Sequence, residues 1–263
     1  MSTTLTSKVV KPYANSVNEN ADPASREWAD LLSPMGWAVL AGWSDGQSMD
    51  DALGNGPTLS NGGSVSTESE DMVLTYEGID GVSYVANGTN QFAEAPSDPI
   101  FGVGAGESAT YAWLGTTDKV TDVSGIYQRL LATGDETGDD GASIYITPAS
   151  GVLTFAIANG SSRSSVNLSH DYSFSRILAL LEVTPTTLTA KVLRDGVWTS
   201  SSVANNLSTV PQNALRVMDA RGGNRNLIGK FDGAFVTPSI LPTSEWEIVV
   251  SKAYRQNGKG VFF

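Results

Sequence analysis

Cysteine is absent from the 263 residues, and histidine occurs once, at His170. The first absence excludes disulfides, thiolate metal sites, iron–sulfur clusters and Cys nucleophiles. The second excludes a zinc centre built on several imidazoles and leaves any Ser–His machinery a single ring to use. Positive charge is scarce: 16 Lys and Arg stand against 28 Asp and Glu, a net charge of −12 with a pI near 4.4. A chain this acidic repels phosphate backbones and anionic lipid surfaces, so neither nucleic acid nor membrane is an expected partner. Long apolar runs are also missing. None approaches the roughly 20 residues of a membrane-spanning helix, and the first ten residues lack the basic-then-apolar layout of a secretory signal. What is present suffices for a folded body: 40 % hydrophobic residues and 27 Gly are close to the globular average.

The charge is unevenly spread. Residues 1–140 carry 21 acids and 5 bases, whereas residues 141–263 carry 7 acids and 11 bases. Such polarity keeps a protein soluble, and it also suits head-to-tail docking or a basic partner.

Three segments are expected: an arm and short helix over 1–34, a sandwich over 35–242, and a helix with an aromatic tail over 243–263. Residues 1–21 are polar and without period, an extended arm whose only apolar anchors are Val9, Val10 and Tyr13. Asp22 and Pro23 open a short helix on which Trp28, Leu31 and Leu32 share a face. Asn-Gly and Asp-Gly dipeptides then punctuate the chain, at Asn55, Asn61, Asn87 and Asn159 and at Asp45, Asp80, Asp140, Asp195 and Asp232. These residues tolerate the positive φ of tight reversals. Between them run about a dozen short segments rich in β-branched and aromatic residues, among them Ala109–Leu114, Val152–Ala158, Arg176–Val183 and Thr187–Leu193. Trp37–Trp43 is expected to supply the first core strand. The pattern predicts an all-β, two-sheet antiparallel sandwich with short N- and C-terminal helices. After Pro242 the period becomes helical: Ser244 and Glu247 fit a capping box, and Trp246, Val249, Val250, Ala253 and Tyr254 form one stripe. The tail Val261-Phe262-Phe263 either tucks into its own sandwich or inserts into a neighbour.

Several stretches together resemble the concanavalin A-like lectin/glucanase sandwich in its laminin-G-like branch. They are Ser124–Gly134, Gly141–Ile146, Gly151–Ala156, the Arg176–Leu193 hairpin, Leu227–Gly233 and the turn Leu241-Pro-Thr-Ser-Glu245. The likeness spans about residues 37–248 and lies in pattern rather than in one signature. It implies a jelly-roll sandwich of the kind used as binding modules and as parts of phage particles, sometimes with calcium at the rim.

The glucanase members of that superfamily carry Glu-x-Asp-x-(x)-Glu on one strand, which sets two carboxylates about 5 Å apart. Glu68-Ser-Glu-Asp71 has the wrong spacing and no third acid, and Glu245 and Glu247 fall at a helix start. No enzyme is expected. Asp135, Asp139 and Asp140 sit in an acidic Gly-containing turn, the manner in which oxygen ligands for Ca²⁺ are gathered, and a solvated hairpin tip is the plainer alternative. No other cofactor is implied. Gly102-Val-Gly-Ala-Gly106 reads as a loop, and His170 as a surface residue. Trp28, Trp113, Trp198 and Trp246 read as core. The expected function is that of a non-enzymatic virion structural protein, a capsid decoration or tail component. It would grip other virion proteins and copies of itself through Val9, Val10, Tyr13, Val261, Phe262 and Phe263. The alternative is a lectin or adhesin that binds a host glycan, with calcium as a candidate ligand.

Overall fold

A computed structural model describes residues 28–41, 48–62, 72–76, 82–87, 91–117, 127–134, 140–147, 152–160, 162–168, 175–219 and 227–256. The arm residues Val9, Val10 and Tyr13 and the tail Val261–Phe263 lie outside them, as do His170 and Glu68–Asp71. Among these residues two helices, α1 (Trp28–Leu32) and α2 (Thr243–Gln256), flank sixteen strands. These are β1 (Trp37–Leu40), β2 (Ser48–Met49), β3 (Leu59–Asn61), β4 (Val73–Tyr76), β5 (Val82–Asn87), β6 (Ala93–Ala95), β7 (Ala109–Thr117) and β8 (Gln128–Ala132). There follow β9 (Asp140–Ile146), β10 (Leu153–Asn159), β11 (Ser162–Leu168), β12 (Ser175–Val183), β13 (Thr187–Arg194), β14 (Val197–Ala204), β15 (Leu215–Val217) and β16 (Ile228–Thr237).

The strands form two antiparallel sheets packed as a jelly-roll sandwich. The first runs β14-β13-β12-β7-β16-β5-β4, with β1 also on β16; the second runs β11-β10-β9-β8-β15-β6-β3-β2. β16 changes neighbours part-way along: Ile228–Phe231 pair with β5 and Gly233–Val236 with β1, the shift falling at a bulge at Asp232. Ser83 Oγ donates to the buried Asp232 carboxylate at 2.7 Å, which satisfies the group that the bulge turns inward.

One layer of core lies between the sheets. Trp37, Val39, Tyr111, Trp113, Ile177, Ala179 and Leu181 face it from the first sheet, and Ile144, Phe155, Ile157 and Val166 from the second. A second core lies on the far side of the first sheet, where Ala38, Leu40, Ala112, Leu114, Leu178, Leu180 and Phe235 meet Leu31 and Leu32 of α1 and Trp246, Val249, Val250 and Ala253 of α2. Arg176–Val183 is therefore an almost unbroken apolar run because both its faces are covered. β13 alternates instead, with Leu188, Ala190 and Val192 inside and Thr187, Thr189 and Lys191 less buried. At Asp195-Gly196 both residues have positive φ, 49° and 75°, the two-residue reversal that the dipeptide predicts.

Three expectations change. The chain also pairs at Ser48–Met49, Leu59–Asn61 and Ala93–Ala95, strands too short to show a period. The capping box at α2 is not formed: the helix begins at Thr243, so Ser244 falls inside the first turn, and the Pro242 carbonyl takes the Glu245 and Trp246 N–H groups. Trp198 is half-buried rather than core; its Nε1 donates to Glu247 Oε1 at 2.7 Å, so the intended capping carboxylate ties β14 to α2.

Candidate functional site

The helices close off the outer face of the first sheet. The outer face of the second sheet has a different composition. Phe92, Ala132, Tyr145, Ala156 and Ala158 are all buried, yet they belong to neither hydrophobic core. All but Phe92, which precedes β6, stand on the outward side of their strands, because Ala142, Ile144, Leu153, Phe155 and Ile157 take the inward positions.

Register sets what stands beside what. Ala132, Ser143, Ala156 and Ser165 line up across β8, β9, β10 and β11, a floor of small side chains. The neighbouring row is Arg129, Tyr145, Thr154 and Asn167. Gly141, Ala158 and Arg163 make the row on the other side. Tyr145 and Arg163 meet across this floor: Arg163 donates from Nη2 to the Tyr145 hydroxyl, with its Cζ 5.5 Å from the ring centroid. Because Tyr145 pairs with Thr154 and Arg163 with Ala158, the contact crosses β10 over Ala156. Only a small residue there leaves the path open. The Arg129 guanidinium lies 4.2 Å from the same ring centroid, a cation over the electron-rich face. Tyr127, 40 % exposed, approaches edge-on with centroids 5.7 Å apart. On the far flank Arg216 lies 3.9 Å over Phe92 and donates from Nε to Glu94 Oε2 at 2.7 Å.

This arrangement offers aromatic and hydrogen-bonding surface for binding. No group of three or more His, Cys, Asp or Glu suited to a metal occurs among the described residues. Burial pushes the Tyr111 phenol above its ordinary value, but that group sits in the core and donates to the Phe101 carbonyl at 3.0 Å. An open cleft beside Val103, Glu107, Thr184, Pro185, Asn205 and Thr209 has a volume of only about 10 Å³, room for about one water molecule. The face around Tyr145 instead offers the exposed Tyr127 ring, the exposed Arg163 guanidinium, and exposed Ser165 and Asn167.

Of the acidic turn, Asp140 opens β9 and accepts from Asn213 Nδ2 at 3.0 Å, while Asp135 and Asp139 lie outside the described residues. Glu245 and Glu247 lie on α2, with Glu247 engaged by Trp198. Gly102–Gly106 is a loop, bridged by Val103 to Val210. Residues Tyr127, Arg129, Tyr145 and Arg163 were not singled out by sequence. The readable signal was alternation: Ser143 and Tyr145 against Ala142, Ile144 and Ile146, and Arg163, Ser165 and Asn167 against Ser164, Val166 and Leu168.

No protein-family model matches the chain, and no curated protein sequence does. Solved structures do. The binding domain of botulinum neurotoxin serotype G superposes with a TM-score of 0.59 at 11 % identity, over 84 % of this chain and 51 % of that one. The binding domain of botulinum neurotoxin DC, in complex with rat synaptotagmin II, gives 0.59 at 10 %, over 84 % and 52 %. The serotype D ligand-binding domain, in complex with N-acetylneuraminic acid, gives 0.60 at 9 %, over 86 % and 52 %. The likeness is one of fold. The chain spans about half the length of these neighbours, and they are binding domains rather than catalytic ones.

Proposed function

We propose that the chain is a non-enzymatic, lectin-like binding module that takes a glycan on the outer face of its second sheet, around Tyr127, Tyr145 and Arg163. The observation that carries this reading is the exposed Tyr127 ring beside exposed Arg163, Ser165 and Asn167, gathered around Tyr145 on a floor of Ala and Ser outside both cores. A pyranose presents C–H faces that suit an aromatic surface and hydroxyls that suit fixed donors, and this face supplies both. Two neighbours support the choice of ligand class: one is complexed with N-acetylneuraminic acid, and a structure of botulinum neurotoxin type C concerns entry dependent on two ganglioside molecules, at 13 % identity and a TM-score of 0.59. A virion role keeps the support of the two termini only, and those residues lie outside the described structure. The test is a glycan array probed with the full chain and with Tyr127→Ala combined with Arg163→Ala. The reading expects a defined glycan signal that the double variant loses by about tenfold or more, the scale of one or two hydrogen bonds to a charged group. No signal from the parent, or an equal signal from the variant, would overturn it.

A further inference from the structure

β14 ends the first sheet. It pairs with β13 without interruption from Thr187↔Ala204 to Arg194↔Val197, and among the described residues no strand follows it in the sheet order. One side of its backbone therefore presents alternating N–H and C=O groups outward. Such edges are ordinarily blunted by charge, proline, a bulge or shortness. The sequence Val197-Trp-Thr-Ser-Ser-Ser-Val-Ala204 has no charge and no proline, its register is unshifted, and it is eight residues long. The other edges among the described strands differ: β2 has two residues, β1 and β4 have four, and β11 carries Arg163.

Exposed large apolar residues among those described are Tyr127, Val197 at 64 %, Val203 at 38 % and Ile240 at 37 %. Two of these four lie on β14, on one face, at equal distances on either side of Ser200. That spacing is self-complementary. In an antiparallel pair of two copies about a two-fold axis through Ser200, Val197 of one copy stands opposite Val203 of the other at both ends. Thr199 then faces Ser201, Trp198 faces Ser202, and Ser200 faces its own copy. Residues that face the sandwich interior in one copy meet their counterparts in the other, since a strand's faces alternate with period two. Neither strand brings a charge that its copy would repel.

We propose that β14 is a dimerisation edge, through which a second copy of this chain continues the first sheet across a two-fold axis. The contact is isologous, so it closes at two copies. It is independent of what the second sheet binds. A single strand pair buries little area, so the dimer is weak and concentration-dependent.

Sedimentation equilibrium of the full chain over a concentration series tests this. The mass should rise from 27.6 kDa towards twice that value. Ser200→Lys, which sets two ammonium groups across the axis, should remain at the monomer mass with an unchanged circular dichroism spectrum. The Cys-free background allows a second measurement. Opposed residues in an antiparallel pair have Cα atoms about 4.5–5.5 Å apart, within disulfide reach. Ser200→Cys should therefore oxidise to a covalent dimer about tenfold faster than Ser202→Cys, whose thiols the register holds apart. A parent that stays monomeric, a Ser200→Lys variant that still dimerises, or equal cross-linking of the two Cys variants would overturn the proposal. The first of these would leave the edge to an extended segment of another protein.

Discussion

At the scale of single residues, the loop between β2 and β3 is organised by one carboxylate. Asp51, 7 % exposed, accepts the N–H groups of Ala38, Leu53, Asn55 and Gly56 at 2.9–3.2 Å. Hydrogen bonds to a buried charged acceptor are among the stronger ones, and removing the carboxylate leaves four donors without it. Asp51→Ala is expected to lower stability by about 3 kcal/mol in urea unfolding, with Asp50→Ala, whose carboxylate meets only the exposed Thr58 hydroxyl, changing little. Tyr111 supplies a pH test. Its pKa is raised by burial, so the folded chain keeps the phenol proton where the unfolded chain releases it. The stability tied to this group is fully present below the unfolded value near 10 and falls as pH rises above it. Tyr111→Phe should flatten that alkaline decline. Which of Asp50 and Asp51 turns inward was not legible in the sequence, because both are acidic and only the depth of β1 separates them.

At the scale of elements, α2 is the cover of the first sheet, and its stripe was legible because Trp246, Val249, Val250 and Ala253 repeat at helical spacing. All four are buried, and Trp246 meets Phe235 edge-on with centroids 5.9 Å apart. Trp246→Ala is expected to cost about 3–5 kcal/mol, read as a lowered thermal midpoint. The longer strands were legible too, since turn dipeptides bracket them and β-branched residues fill them. The Ser244–Glu247 box is not used: a helix start is fixed by which carbonyl receives its first N–H groups, and here Pro242 does so two residues before Ser244. Glu247 was then free to accept from Trp198, a partner distant in sequence. Trp198→Phe should loosen β14 from α2, visible as faster amide exchange in Val197–Ala204 with little change in the remaining strands.

At the scale of the molecule, the two sheets are unequal. One is covered on both faces, and the other carries an outer face of small residues crossed by Tyr145 and Arg163. That there are two sheets follows from the many short reversing strands. That Arg129, Tyr145 and Arg163 converge does not, because it depends on the registers of β8 with β9, β9 with β10 and β10 with β11, which no local pattern encodes. Ala156 is the position on which the convergence depends. Ala156→Leu should push Tyr145 away from Arg163 and weaken glycan binding by about tenfold or more, while the inner core, from which Ala156 is absent, keeps the sandwich folded. The most direct test is amide chemical-shift mapping of the full chain titrated with the glycan selected on the array. The account predicts shifts concentrated at Tyr127, Arg129, Tyr145, Arg163 and Ser165, absent from the face covered by α2. Shifts confined to the strand-end loops or to the first sheet, or no shifts with any glycan, would contradict it.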